Sequence, residues 1–268
     1  ELTYGNDKVK SYFGIRTTAF DKQNYLLNGK PLYLRTVLDQ GFYKKGIYTA
    51  ETEEELVKDI YLSLDAGFNG ARLHQKVFEK RFLYHCDKLG YLVFGETGNW
   101  GLDHTVNTAI YHFLPEWLEE VERDFSHPSL IGWCPTNETW DRHGRQQFNP
   151  FLDSIYDITK AIDKTRPVIT SSGSYPTERT DVHDVHDYEQ DPAVFRSHYP
   201  HDGMPHEPFR GRQQYDGVKP VFVSEYGGIK WAPDSEKGWG YGNAPKTIEE
   251  FADRYCGLTS ALIENPYI

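Results

Sequence analysis

Cysteine is scarce: Cys86, Cys134 and Cys256 are all that the 268 residues contain, and no two are spaced as Cys-x-x-Cys. That excludes a disulfide framework and a zinc knuckle, and it points to a reducing, cytoplasmic setting. No apolar run reaches the roughly 18 residues that cross a bilayer. The opening "ELTYGNDKVKSYFG" is polar rather than leader-like, so no membrane partner is expected. Positive charge is short as well, with 29 Lys and Arg against 40 Asp and Glu, a net charge of -11. Tracking phosphates takes clustered cations, which sets nucleic acid aside as a partner. Linkers, fixed-period repeats and low-complexity tracts are absent. Aromatic residues are abundant instead, 15% of the chain with 6 Trp and 19 Tyr, and their flat faces suit a core or the C–H faces of a sugar.

After the stretch "IRTTAFDKQNYLLNGKPLYLRTV", whose Asn28-Gly29 reads as a hairpin turn, short apolar runs alternate with amphipathic ones. Strands are expected at 31–39, 69–74, 91–97, 130–137, 167–173, 181–187 and 220–226. The patterns between them predict helices at 52–67, 77–90, 111–125, 149–163 and 247–264, the first opening on a Thr cap with an acidic first turn. Repeated β-then-α units argue for an α/β fold, a (β/α)8 TIM barrel over 29–268 preceded by a linker and hairpin segment at 1–28. Closure takes eight strands and seven are visible. "IENPYI" stands where an eighth would begin, so the expectation is a barrel truncated before or at that strand, cut from a longer multidomain protein and poorly active by itself.

Barrel chemistry sits where strands end. The polar residues closing these strands are Asp39, Arg72, His74, Glu96, Asn137, Glu138, His186, Asp187, Tyr188 and Glu225. Most telling is "HPSLIGWCPTNETWD", in which a buried apolar strand runs into Asn137 and Glu138, two residues costly to bury. Glu225 ends the seventh strand across the same mouth. Paired carboxylates suit glycosidic cleavage, which needs one group to protonate the leaving oxygen and another to meet positive charge at the anomeric carbon.

From "YFGIRT" through "GKPLYLRTVLDQG", "LDAGFNGARLHQKV", "HPSLIGWCPTNETWD" and "PVFVSEYGG" to "WGYGN", the chain resembles glycoside hydrolase family two, the β-galactosidase, β-glucuronidase and β-mannosidase group. The resemblance implies Glu138 as general acid/base, Asn137 holding the sugar 2-hydroxyl, Glu225 as nucleophile and Tyr188 beside it. It also implies a carbohydrate substrate, no cofactor, and a jelly-roll and an immunoglobulin-like domain flanking the barrel in the parent chain. Arg72-Leu-His74 and the following "QKV" depart from the family's Arg-x-x-His and "YP", which leaves His74 less firmly placed. A fixed Arg72 beside Glu225 would favour a charged nucleophile, and Asp39, His186 and Trp231 are further candidates for sugar contact. β-Galactosides are the first substrate expectation, with β-glucuronides or β-mannosides as alternatives; a homo-oligomer is compatible with the sequence.

Two other classes compete. A metal-dependent barrel hydrolase is suggested by "VHDVHDYEQD", but His183 and His186 are three apart and face opposite sides of an extended strand, so no metal is expected there. A non-catalytic sugar-binding fragment would be signalled by loss of one carboxylate, and both are present.

Overall fold

The computed structural model describes residues 1–202, 204–209, 211–212, 215–234 and 237–268. At the N-terminus β1 (Leu2–Tyr4) and β2 (Asp7–Val9) form an exposed hairpin that the hydrophobic pattern does not announce. An antiparallel meander follows, with β3 (Thr18–Asp21), β4 (Asn24–Leu27) and β5 (Lys30–Pro31). Asn28 and Gly29 link β4 to β5 with φ of 53° and 73°, the two left-handed positions a tight hairpin turn requires.

The barrel series then runs β6 (Thr36–Asp39), α1 (Glu53–Asp65), β7 (Gly70–Leu73), α2 (Lys80–Leu89), β8 (Leu92–Glu96), α3 (Ala109–Asp124), β9 (Leu130–Cys134), β10 (Thr136–Asn137), α4 (Asn149–Ile162), β11 (Ser171–Ser172), β12 (His183–Asp187), α5 (Pro192–Ser197), β13 (Val221–Tyr226) and α6 (Ile248–Ile263). Thr52 caps α1 by accepting from Glu55 N, and Thr247 caps α6 through Glu250 N, each just ahead of an acidic first turn. All barrel pairings are parallel: β6-β7-β8-β9, β10-β11 and β12-β13. The TIM-barrel expectation holds, with three differences in detail.

Strand one is shorter than 31–39, because Leu32 N donates to Tyr25 O and commits that stretch to the meander. The expected strand 167–173 is laddered only at Ser171–Ser172. Pro135 has no N–H, so the pairing of strands four and five breaks around it into a Trp133–Val168 bridge and the β10-β11 pair. The third difference is α5, six residues opened by Pro192 and capped by Asp191, too short to show a helical period.

A register shift at Ile131, which leaves it unpaired between Leu130 and Gly132, breaks the alternation of side chains along β9. Leu130 and Trp133 join the large core under α1–α4, while Ile131 and Cys134 join the barrel interior with Phe94, Ile169 and Val182. Tyr25 of the meander plugs the lower end of that interior and donates its hydroxyl to Ile131 O at 3.0 Å. In the outer core Trp117 meets Trp133 edge to face at 5.5 Å, and both indoles donate, to Thr159 and Asp163.

Among the described residues β6 pairs only with β7, and β13 only with β12. A cavity of about 520 Å³ separates them, bounded by Phe20, Tyr25, Leu34, Phe222, Tyr226 and Leu262 among others. The meander covers part of the exposed edge, since Gln23 Oε1 accepts Val221 N at 3.0 Å.

Glu120, buried on α3, carries an oxygen without a hydrogen-bond partner among the described residues; burial, then Asp124, pushes its carboxyl well above the usual 4.5. A raised folded-state pKa favours the fold below the unfolded value, and that contribution is lost as pH rises. Glu120→Gln should therefore raise the melting temperature by at least about 2 °C at pH 7. In melts across pH the advantage should vanish below about pH 4.5, where Glu120 is protonated in both states.

Candidate active site

Arg72, only 1% exposed on β7, ties three strands together. Nη1 donates to Glu96 Oε2 at 2.5 Å and to Asn137 Oδ1 at 3.2 Å, and Nη2 donates to Glu225. Burying a guanidinium is costly unless its charge is met, and here two carboxylates meet it. Glu96 is fully buried. Burial alone would push its carboxyl upward, but the Arg72 charge, His74 and the Gln75 N–H outweigh that and hold it below the ordinary value. His74 Nδ1 lies 3.0 Å from Glu96 Oε1, and the Trp100 ring stands edge-on to His74 at 5.7 Å.

Asn137 is fixed by its neighbour Asn99, whose Oδ1 accepts Asn137 N at 2.8 Å and whose Nδ2 donates to Asn137 O at 2.9 Å. Its own Nδ2 is buried with no hydrogen-bond partner among the described residues. Glu138 follows with φ of 49°, a left-handed backbone that a non-glycine residue adopts at a cost, as functional positions do. Its N–H donates to Ser172 O at 2.9 Å, which holds the turn at the mouth.

His186 stands between the two carboxylates. Its Nδ1 is 2.9 Å from Glu138 Oε1, and its Nε2 is 2.8 Å from Ser172 Oγ and 3.4 Å from Glu225 Oε1. Gly173, with φ of 70°, has to be glycine for two reasons: the left-handed backbone, and a Cβ that would overlap the His186 ring. Asp184 Oδ1 seals the seam below, accepting from Gly173 N at 2.6 Å, Ser172 Oγ at 3.0 Å and Ser224 Oγ at 2.8 Å. Oxygens of Glu138 and Glu225 and a ring nitrogen of His186 all lie within 4.8 Å of one another.

Tyr188 completes the group by donating its hydroxyl to Glu225 Oε2. The ring of Tyr241 stacks on Tyr188 with centroids 3.7 Å apart. Burial first, then Tyr241, raises the Tyr188 pKa, so its phenol keeps the proton it donates. Surroundings separate the two glutamates. The Glu225 side chain is 10% exposed and takes bonds from Arg72 and Tyr188, whereas that of Glu138 is 23% exposed and touches His186.

The structure thus gathers Arg72, His74, Asn137, Glu138, His186, Tyr188 and Glu225. Trp231 stands apart from this group among the described contacts, and Asp39 joins it only through its backbone carbonyl, which accepts His74 N at 2.7 Å. Asp39 accepts from Gly41 N, and Trp231 packs on Phe251 of α6 at 5.3 Å. His183 faces away from His186 and packs on Tyr215 at 5.0 Å. Beyond the strand-end residues, the site takes in Asn99, Ser172 and Tyr241, with Glu96 at its centre. Ser172 is legible in the sequence, since it ends the fifth strand, whereas Asn99 and Tyr241 reach the site from loops with no spacing signal.

The family model described as glycosyl hydrolases family 2, TIM barrel domain, matches residues 18–233. Human β-glucuronidase is 30% identical over 173 residues, covering 62% of this chain and 26% of its own length. A β-galactosidase of Thermoanaerobacterium thermosulfurigenes is 28% identical over 233 residues, 83% of this chain and 29% of its own. The chain therefore spans about a quarter of the length of these curated relatives. Among solved structures, a β-glucuronidase of an uncultured Clostridium sp. superposes with a TM-score of 0.75 at 19% identity, over 96% of this chain and 46% of that one. With a parallel barrel, two glutamates at its mouth and a family match over most of its length, this chain belongs to the glycosyl hydrolases of family 2, as their TIM barrel domain.

Proposed function

We propose that the protein hydrolyses terminal β-glycosides with retention of configuration, Glu225 acting as nucleophile and Glu138 as general acid/base. The observation that carries this reading is the pair of carboxylates approaching within 4.8 Å. Retaining glycosidases hold theirs about 5–5.5 Å apart, whereas inverting ones leave about 6.5–9.5 Å for a water. The different environments assign the roles. Glu225, held by two donors, is aimed and shielded, and Glu138, closer to solvent, is placed to give a proton to the leaving oxygen and later to take one from water. In the first step Glu225 forms an ester with the anomeric carbon as the C–O bond to the leaving group breaks and Glu138 protonates that oxygen. Water then attacks the ester, giving its proton to Glu138 and releasing the sugar with its original configuration. Asn137 Nδ2 supports the 2-hydroxyl, and Arg72 and Tyr188 keep Glu225 aligned.

A neutral sugar, β-galactoside, is the first substrate reading. Arg72, Arg145 and Arg212 are already spent on carboxylates of the protein, Glu96 and Glu225, Asp103, and Asp141. A β-glucuronide is the second reading, favoured by the names of the relatives and by Lys230 in the loop after β13. The test is a panel of p-nitrophenyl β-D-glycosides, with the first-formed anomer read by proton NMR. Release of the β-anomer from one of these sugars supports the proposal; the α-anomer as first product sinks it, and the preferred glycone decides between the two substrates.

A further inference from the structure

A second cluster of ligating side chains comes from the last residue of β12, the C-cap of α5 and the loop beyond it. Asp187, His198 and His206 bring one carboxylate oxygen and one ring nitrogen each to within 4.8 Å of one another. Asp187 is 5% exposed. Its Oδ1 accepts from Glu189 N at 3.0 Å, which turns Oδ2 toward His198 Nδ1, 2.8 Å away. The His198 and His206 rings stack at 4.1 Å. Beside them sits Tyr199, 2% exposed, whose buried hydroxyl faces Asp187, and burial first, then the charge and hydrogen-bonding of that carboxylate, push the phenol well above its ordinary pKa.

We propose that Asp187, His198 and His206 form a binding site for a divalent transition-metal ion of the zinc class. Two imidazole nitrogens and one carboxylate oxygen are the donors that Zn2+, Co2+ and Ni2+ prefer over harder ions, and they leave a position for water. Tyr199 Oη is placed to hydrogen-bond that water. A shared ion lies in the plane of both imidazoles, so the half-exposed His206 ring turns out of its stack on capture, and both nitrogens release any proton they carry. The ion would bridge the end of α5 to the following loop and fix Asp187, and with it the backbone of Tyr188, whose hydroxyl holds Glu225. This site is separate from the Glu138–His186–Glu225 group, and its existence does not depend on the reaction proposed above.

Calorimetric titration of the full chain with Zn2+ in a non-chelating buffer tests the site, with Co2+ absorption as a second readout. One Zn2+ per chain is expected, retained in Glu225→Gln and in His112→Ala, a control on an exposed helix face. In His206→Ala and His198→Ala the affinity should fall at least about 100-fold, with the circular dichroism of His206→Ala unchanged. The d–d band of bound Co2+ should disappear in the same two variants. Absence of a 1:1 event in the native protein, unchanged affinity in His206→Ala, or loss of binding in Glu225→Gln would each overturn the proposal, the last by moving the ion to the catalytic carboxylates.

Discussion

Glu225→Gln should lower kcat by about 10⁴- to 10⁶-fold, the range seen when the nucleophile of a hydrolase is removed from intact surroundings. Gln keeps the volume and one acceptor oxygen, so the bonds from Arg72 and Tyr188 survive in part while the attacking charge is gone. Arg72 retains Glu96 as a counter-ion, so the variant should fold. Sugar affinity, measured by calorimetry with a product or a slow substrate, should change less than about tenfold. A variant that loses binding and turnover together would mean that Glu225 holds the site's shape rather than performing the attack.

For Glu138→Gln the expected result depends on the leaving group, which is what separates an acid from a merely structural carboxylate. With an alkyl or sugar leaving group, kcat/KM should fall about 10²- to 10⁴-fold, the usual contribution of a general acid. With 2,4-dinitrophenolate, which leaves without a proton, the first step should proceed nearly as in the native protein. The glycosyl ester then accumulates, visible as a burst, because no base activates water. Added azide should restore turnover and yield a β-glycosyl azide, since an anionic nucleophile fits beside the neutral amide and needs no base. Equal losses for both leaving groups would remove Glu138 from the acid/base role.

Much of this site could be read from strand ends. Arg72, Asn137, Glu138, His186, Tyr188 and Glu225 close runs of buried apolar residues, and a barrel delivers such positions to one face. The period of the pattern also located the barrel strands and most helices. Partnership could not be read. Glu96 in "VFGET" looks like any carboxylate after a strand, and its central place is a matter of which guanidinium is folded against it. Tyr241 lies 53 positions from Tyr188, on a loop with no periodicity, and only the folded chain stacks the two rings. The strand boundaries that differed did so for local reasons: Pro135 withholds a donor, and Leu32 is claimed by the meander.

In the proposed reaction a covalent bond forms between the sugar and Glu225. The most direct measurement is trapping with a panel of 2-deoxy-2-fluoro-β-glycosyl fluorides, followed by proteolysis and mass spectrometry. These reagents slow both steps through the electron-withdrawing fluorine, but their excellent leaving group lets the ester form and persist. One added fluoroglycosyl group per chain is expected, carried by the peptide that contains "VFVSEY", localised by fragmentation to Glu225 and absent from Glu225→Gln. Label on Glu138 or any other residue, or undiminished labelling of Glu225→Gln, would contradict it.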